Sequence, residues 1–371
     1  MYKKSLLALA TLGVFASGAV AADVGLYGVL DQGFAFNKAS VTNGNDKTKT
    51  QSFEQASGLN APSRFGLVGS EDLGNGLTLG FKLENSFNGD DGTLGQGGRL
   101  FGRESSLTLS GDFGALSVGR MGGIASSAGT YDLVYAYADA FDGGDNAVLG
   151  LTVSSRYDNM VTYQTPKFGG VQATVQYSFK GDDQSESQGK LREGSAAVDR
   201  YASFALTGDF GPLQAVTAFE LQNYASNNGK DAPDSTGKTF YLGGNYDCGF
   251  AKTFVLAQYF QDQKELTYLG SDVGAENGFK GYGLHVGTQF PALAGNVTAG
   301  LYYVDATAEN TAGDRDTDYV GASLRYAYSL SKRTTLYTGA GYAQANVDAT
   351  KTATKYEKDV TQVYAGLTHT F

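Results

Sequence analysis

Val171-Gln172-Ala173-Thr174-Val175-Gln176-Tyr177-Ser178-Phe179 is the stretch that decides the fold. Its odd positions are apolar and its even positions polar, a period of two that puts successive side chains on opposite faces of a strand. The same period recurs in Tyr282, Leu284, Val286 and Phe290, and again in Val320, Ala322, Leu324, Tyr326 and Tyr328. Each segment has about the length a tilted strand needs to cross a bilayer. Strands with one oily and one wet face suit a soluble sandwich or a closed barrel standing in lipid.

The start of the chain favours the barrel. Lys3 and Lys4 precede the apolar run Leu6 to Ala16, and Ala19-Val20-Ala21-Ala22 follows with small residues, the pattern of a cleaved secretory signal peptide. We therefore expect residues 1–22 to be a signal and residues 23–371 to be one domain. No other apolar run is long enough for a transmembrane helix, but an exported chain can still cross a membrane if its strands close on themselves and satisfy every backbone group. The 52 Gly, 24 Tyr and 22 Phe, with no Trp, fit many strands joined by many turns.

The connections fall into two classes. Asp72 to Gly76, Gly111 to Gly114, Pro166 to Gly170, Asp209 to Pro212 and Ser329 to Arg333 are short turns. Lys38 to Asn60, Gly181 to Val198, Ser226 to Lys238 and Asn310 to Asp316 are long polar stretches read as outer loops. Counting through them predicts an all-β, antiparallel transmembrane barrel of about sixteen strands, a size that leaves an aqueous channel.

Charge narrows the function. The formal net charge is -10, and -12 without Lys3 and Lys4, which excludes a nucleic-acid partner held by basic surface. Cys248 is the single cysteine and cannot form an internal disulfide, and no close spacing of metal ligands occurs. No metal and no cofactor is expected. An enzyme built on a barrel would need a general base, yet only His285 and His369 exist, and neither has a nucleophile motif beside it. No enzymatic activity is expected.

Several segments resemble the general porins of Gram-negative outer membranes, particularly the neisserial and β-proteobacterial group. They are Asp23-Val24-Gly25-Leu26-Tyr27-Gly28, Ser63 through Gly74, the hairpin from Phe113-Gly114 to Val118-Gly119-Arg120, Thr162 through Gly170, Ser331-Lys332-Arg333-Thr334 and the terminal Phe371. The resemblance covers essentially the whole chain after residue 22. It implies an outer-membrane homotrimer, embedded among lipid and lipopolysaccharide, that passes ions and small hydrophilic solutes by passive diffusion. It further implies insertion by the barrel assembly machinery, with Phe371 as the C-terminal assembly signal.

In such porins the third long loop folds into the barrel and sets acidic groups against a basic wall. Gly122 to Ser154 occupies the matching place, with Asp132, Asp139, Asp142 and Asp145 among Tyr131, Tyr135, Tyr137 and Phe141. The basic wall is then expected from Arg64, Lys82, Arg120 and Arg156. Parity supports three of these independently. Phe65 and Leu67 facing lipid turn Arg64 inward, Phe81 and Leu83 do the same for Lys82, and Arg156 is in phase with Thr162 and Gln164. Arg120 shares the outward parity of Leu116 and Val118 and reaches the lumen only through a bulge at Gly119. Arg103 has the parity of Leu107 and Leu109, so it is left outside the set. A substrate-specific channel, with Tyr131, Tyr135 and Tyr137 starting an aromatic track, or an adhesin using the long loops, is the alternative.

Overall fold

The computed structural model describes residues 23–142, 145, 148–181, 193, 198–224 and 236–371. The expected signal peptide, most of the loop expected from Gly181 to Val198 and most of that from Ser226 to Lys238 lie outside the described residues. The strands are β1 (Asp23–Asn43), β2 (Asp46–Ser57), β3 (Arg64–Gly74), β4 (Leu77–Ser86), β5 (Glu104–Gly111), β6 (Gly114–Gly122), β7 (Arg156–Gln164) and β8 (Val171–Ser178). They continue as β9 (Arg200–Phe210), β10 (Leu213–Asn223), β11 (Thr236–Asp247), β12 (Lys252–Gln263), β13 (Phe279–Ala292), β14 (Gly295–Ala308), β15 (Arg315–Ser329), β16 (Thr334–Val347) and β17 (Tyr356–Thr370). One short helix, α1 (Val134–Ala138), lies in the connection between β6 and β7.

Each strand pairs antiparallel with its neighbours, and β1 closes the sheet on β17 from Val29↔Thr370 to Asn43↔Tyr356. Along its other edge β1 meets β2 from Gln32 to Asn43 and β3 from Asp23 to Val29. Thus β2 and β3 are successive parts of one stave, interrupted at residues 58–63, and the seventeen strands make a closed sixteen-stave barrel. The predicted fold class and strand number hold. Closure leaves no sheet edge in the band where lipid offers no hydrogen bonds.

Alternation places the side chains as the sequence implies. Val171 and Val175 are exposed on the outer surface while Thr174, Gln176 and Ser178 are buried inside, and Leu284 and Val286 flank a buried His285. The wall is uneven in height. β3 to β8 have eight to eleven residues, whereas β13 to β17 have fourteen or fifteen. At ~3.3 Å per residue and a tilt of about 40°, the short strands rise about 20–28 Å, close to an apolar band of about 25 Å, and the long ones rise above it.

One expected loop is a correction. Lys38 to Asn60, read as a polar outer loop, is mostly strand, because β1 runs to Asn43 and β2 returns from Asp46 after a two-residue turn. Gly44 in that turn has φ +62°, the conformation glycine tolerates and a tight hairpin requires. Thr42, Thr48 and Thr50 favour extended backbone whatever their polarity, so a hydrophilic stretch still forms a hairpin.

Candidate functional site: a basic wall facing a folded-in loop

The segment after β6 turns into the barrel and packs on the lumenal face of β9 to β17. Glycines make the space for it. A Cβ added at Gly243 would stand 2.6 Å from Cβ of Ala138, at Gly283 2.6 Å from Cδ2 of Leu151, at Gly287 2.5 Å from Cβ of Ala140 and at Gly341 2.3 Å from Cγ2 of Val148. The inner surface of β11 to β16 is therefore a trough that only hydrogen side chains leave open. Ile124, Val134, Tyr135, Val148 and Leu151 fill it and are fully buried or nearly so.

Polar contacts fix the loop in the trough. Tyr135 donates to the carbonyl of Thr152 at 2.6 Å, Thr152 donates to Gln258 at 3.0 Å, and Asn245 donates to the carbonyl of Tyr137 at 2.6 Å. Asp139 accepts from Tyr302 at 3.1 Å and from the backbone N–H of Phe141 at 2.6 Å. Asp145 accepts from Tyr364 at 2.7 Å and from Ser323, with Arg325 at 3.8 Å. The Arg325 guanidinium also lies 4.9 Å from the centre of the Phe141 ring. The buried Glu220 accepts from Tyr201 and from Tyr241 beneath the loop's root.

The four loop aspartates thus differ. Asp139 and Asp145 are buried in bonds to the wall, and Asp132 is buried with Oδ1 lacking a hydrogen-bond partner among the described residues. Burial, then the neighbouring Asp142 carboxylate, push the Asp132 carboxyl well above the usual range. Asp142, held at φ +57°, is the member whose side chain reaches the surface, and the low-dielectric surroundings, then the Asp139 carboxylate, push its carboxyl up against the smaller opposing pull of Arg64. The three loop tyrosines are buried, with hydroxyls bound to Ser117, to the Thr152 carbonyl and to Asp209. They offer no exposed aromatic track.

The opposite wall, β3 to β7, carries the cations. Arg64 lies 3.8 Å from Glu84, Lys82 2.9 Å from Glu104, and Arg120 2.8 Å from Asp158, which also takes Arg99 at 2.7 Å. Arg156 bonds only weakly to Gln96 at 3.5 Å, and its buried Nε has no hydrogen-bond partner among the described residues. Among the described residues this wall thus sets Arg64, Lys82, Arg99, Arg103, Arg120 and Arg156 beside Glu84, Glu104 and Asp158, which pair with them on the same wall. Thr130, at the start of the folded-in segment, donates to Glu104 at 2.7 Å and ties the two walls at one end.

Arg103 corrects the parity argument. It is buried inside, its Nε 2.5 Å from Glu84. Alternation reaches only as far as the strand, and β5 begins at Glu104, so the bend before it is free to turn Arg103 inward. The bulge that Arg120 required exists: the β6–β7 register shifts between Gly119 and Met121, with Gly119 at φ +130° and Asn159 at φ +51°. Arg99 was not anticipated, since a loop residue has no period to read.

The sequence pattern of the Gram-negative porins matches residues 6–350. The chain belongs to that porin family. This porin is 34% identical to an outer membrane porin of Bordetella pertussis over 92% of its own length and 94% of the relative's. It is 28% identical to a monosaccharide porin of a Halomonas species, over 85% and 88%. Among solved structures it is similar to an anion-selective porin from Comamonas acidovorans, with a TM-score of 0.67, 27% identity and coverage of 95% and 100%. The porin resides in the outer membrane and forms a channel for passive diffusion of ions and small solutes.

Proposed function

We propose that this porin is an anion-preferring channel whose neck lies between the folded-in loop and the β3–β7 wall. The observation that carries this reading is that, among the described residues, Arg64, Lys82 and Arg103 share Glu84 and Glu104 while the buried Arg156 Nε has no hydrogen-bond partner. Confined by low-dielectric walls, uncompensated guanidinium charge raises the local concentration of anions and opposes cations. Arg64, Lys82, Arg120 and Arg156, with Arg103, act as the basic side. Asp142 is the acidic group opposite them, while Asp132, Asp139 and Asp145 serve mainly to seat the loop. The channel carries out no covalent chemistry, and solutes pass by diffusion along their gradients.

The exposed Phe34, Phe36 and Phe53 on the outer face beside the low wall supply an apolar surface for a homotrimer. Residues 1–22 direct export, and Phe371 addresses the barrel to the assembly machinery that inserts it among lipid and lipopolysaccharide. The test is the reversal potential of the refolded protein in planar bilayers under a KCl gradient. Anion preference that falls in Arg64→Ala, Arg103→Ala and Arg156→Ala supports the assignment. Cation preference in the parent overturns it.

A further inference from the structure

His285 meets the folded-in loop at Ala140. The backbone N–H of Ala140 donates to His285 Nε2 at 3.2 Å, and His285 Nδ1 lies 3.1 Å from the carbonyl of Leu301. An imidazole that accepts at Nε2 must carry its proton at Nδ1, and that proton points at the Leu301 carbonyl. The ring is buried and stacked on Tyr302 at 4.4 Å between centres, and Tyr302 in turn binds Asp139. Gly287 and Gly300 clear the surrounding space. A Cβ at Gly287 would meet Ala140 and Nε2 itself, and one at Gly300 would meet Phe141 and Cε1 of the imidazole. The wall is thus shaped around one contact between a neutral imidazole and a backbone N–H, two residues from Asp142.

We infer that neutral His285 is the positioning residue that holds the tip of the folded-in loop, and that its protonation releases the tip and makes the channel's open state sensitive to acid. The role presupposes a channel narrowed by this loop, as proposed above. An imidazolium has no acceptor, so Nε2–H would oppose the Ala140 N–H and leave two buried donors facing each other. The charged and titratable groups that act on the ring are Asp139 from the loop and Tyr302 from β14; Asp145 from the loop and Tyr135 from α1 act in turn on Tyr302, and Arg325 from β15 lies over the neighbouring Phe141. β12 brings the uncharged Leu256 opposite His285 in register. Asp139 attracts an imidazolium, so the proton draws that carboxylate away from Tyr302 and loosens a second tie of the same tip.

Current through single channels of the full-length refolded protein, recorded from pH 8 to pH 5, tests this, because an imidazole takes up its proton across that interval. The parent is expected to conduct steadily at pH 8 and to lose that steadiness, showing brief closures, at pH 5. His285→Gln keeps a neutral acceptor at the reach of Nε2 and is expected to conduct steadily throughout. His285→Ala is expected to show closures at both pH values, and heat-shifted migration on a detergent gel identifies folded barrels of each variant. The inference is overturned if His285→Gln retains the parent's acid response, which would assign it to carboxyls such as Asp132 or Glu220. It is also overturned if the parent is steady at pH 5, or if folded His285→Ala behaves as the parent does at pH 8. Folded parent protein that forms no channel at all overturns the channel reading, an outcome distinct from a channel lacking an acid response.

Discussion

Tyr364, seven residues from the end of the chain, donates its hydroxyl to Asp145 in the folded-in loop at 2.7 Å, across 219 residues of sequence. The last strand therefore holds the loop of the neck as well as closing the barrel. Removing the hydroxyl in Tyr364→Phe leaves a buried carboxylate short of a donor, at a cost of about 1–3 kcal/mol. We expect a lower unfolding midpoint in detergent and noisier open-channel current, with Asp145→Asn restoring part of the stability in the double variant. Unchanged current noise would separate Asp145 from loop positioning.

Asp132 gives a pH signature with a definite sign. Its carboxyl stays protonated in the folded protein over a pH range where the unfolded chain has released the proton, so the native state binds more protons there and loses stability as pH rises. Asp132→Asn removes that loss. The variant should exceed the parent at pH 7 and approach it at pH 3, where the Asp132 carboxyl is largely protonated in the folded and the unfolded chain alike. Urea unfolding at the two pH values measures the difference.

The glycine trough predicts displacement of the loop by very small additions. Gly341→Val and Gly287→Ala put carbon where Val148 and Ala140 already lie, and overpacking of this kind costs about 1–3 kcal/mol. Both substitutions are on the lumenal face, so the barrel should still insert while conductance and selectivity change. Normal conductance in both would show that the loop tolerates the intrusion.

At the seam, Phe371 and Gly28 exchange two backbone hydrogen bonds, Gly28 N–H to Phe371 O at 3.0 Å and Phe371 N–H to Gly28 O at 3.1 Å. The Phe371 ring lies over Gly28, where a Cβ would stand 2.2 Å from Cζ. Gly28→Val should therefore impair closure even though Phe371 is intact. Deleting Phe371 should lower the yield of folded barrel in the outer membrane by a comparable amount, read as the heat-shifted band in membrane fractions.

The alternation of oily and wet residues by itself determined the barrel, its approximate strand number and the inward facing of Arg64 and Lys82, because a strand's period of two is local and a lipid boundary enforces it at every position. The long polar stretch Lys38 to Asn60 misled because polarity measures exposure to water, and a hairpin rising above the membrane is exposed too. What the tertiary structure decided lies where that period stops. Arg103 sits in a bend, Arg120 beside a bulge, and the aspartates in a loop whose course is set by distant strands. Asp139 and Asp145 turn to the wall because Tyr302, Ser323 and Tyr364 offer buried donors there, and a carboxylate removed from water must take the donors within reach. Those donors lie more than 160 residues away in sequence, and only closure of the barrel brings them to the loop.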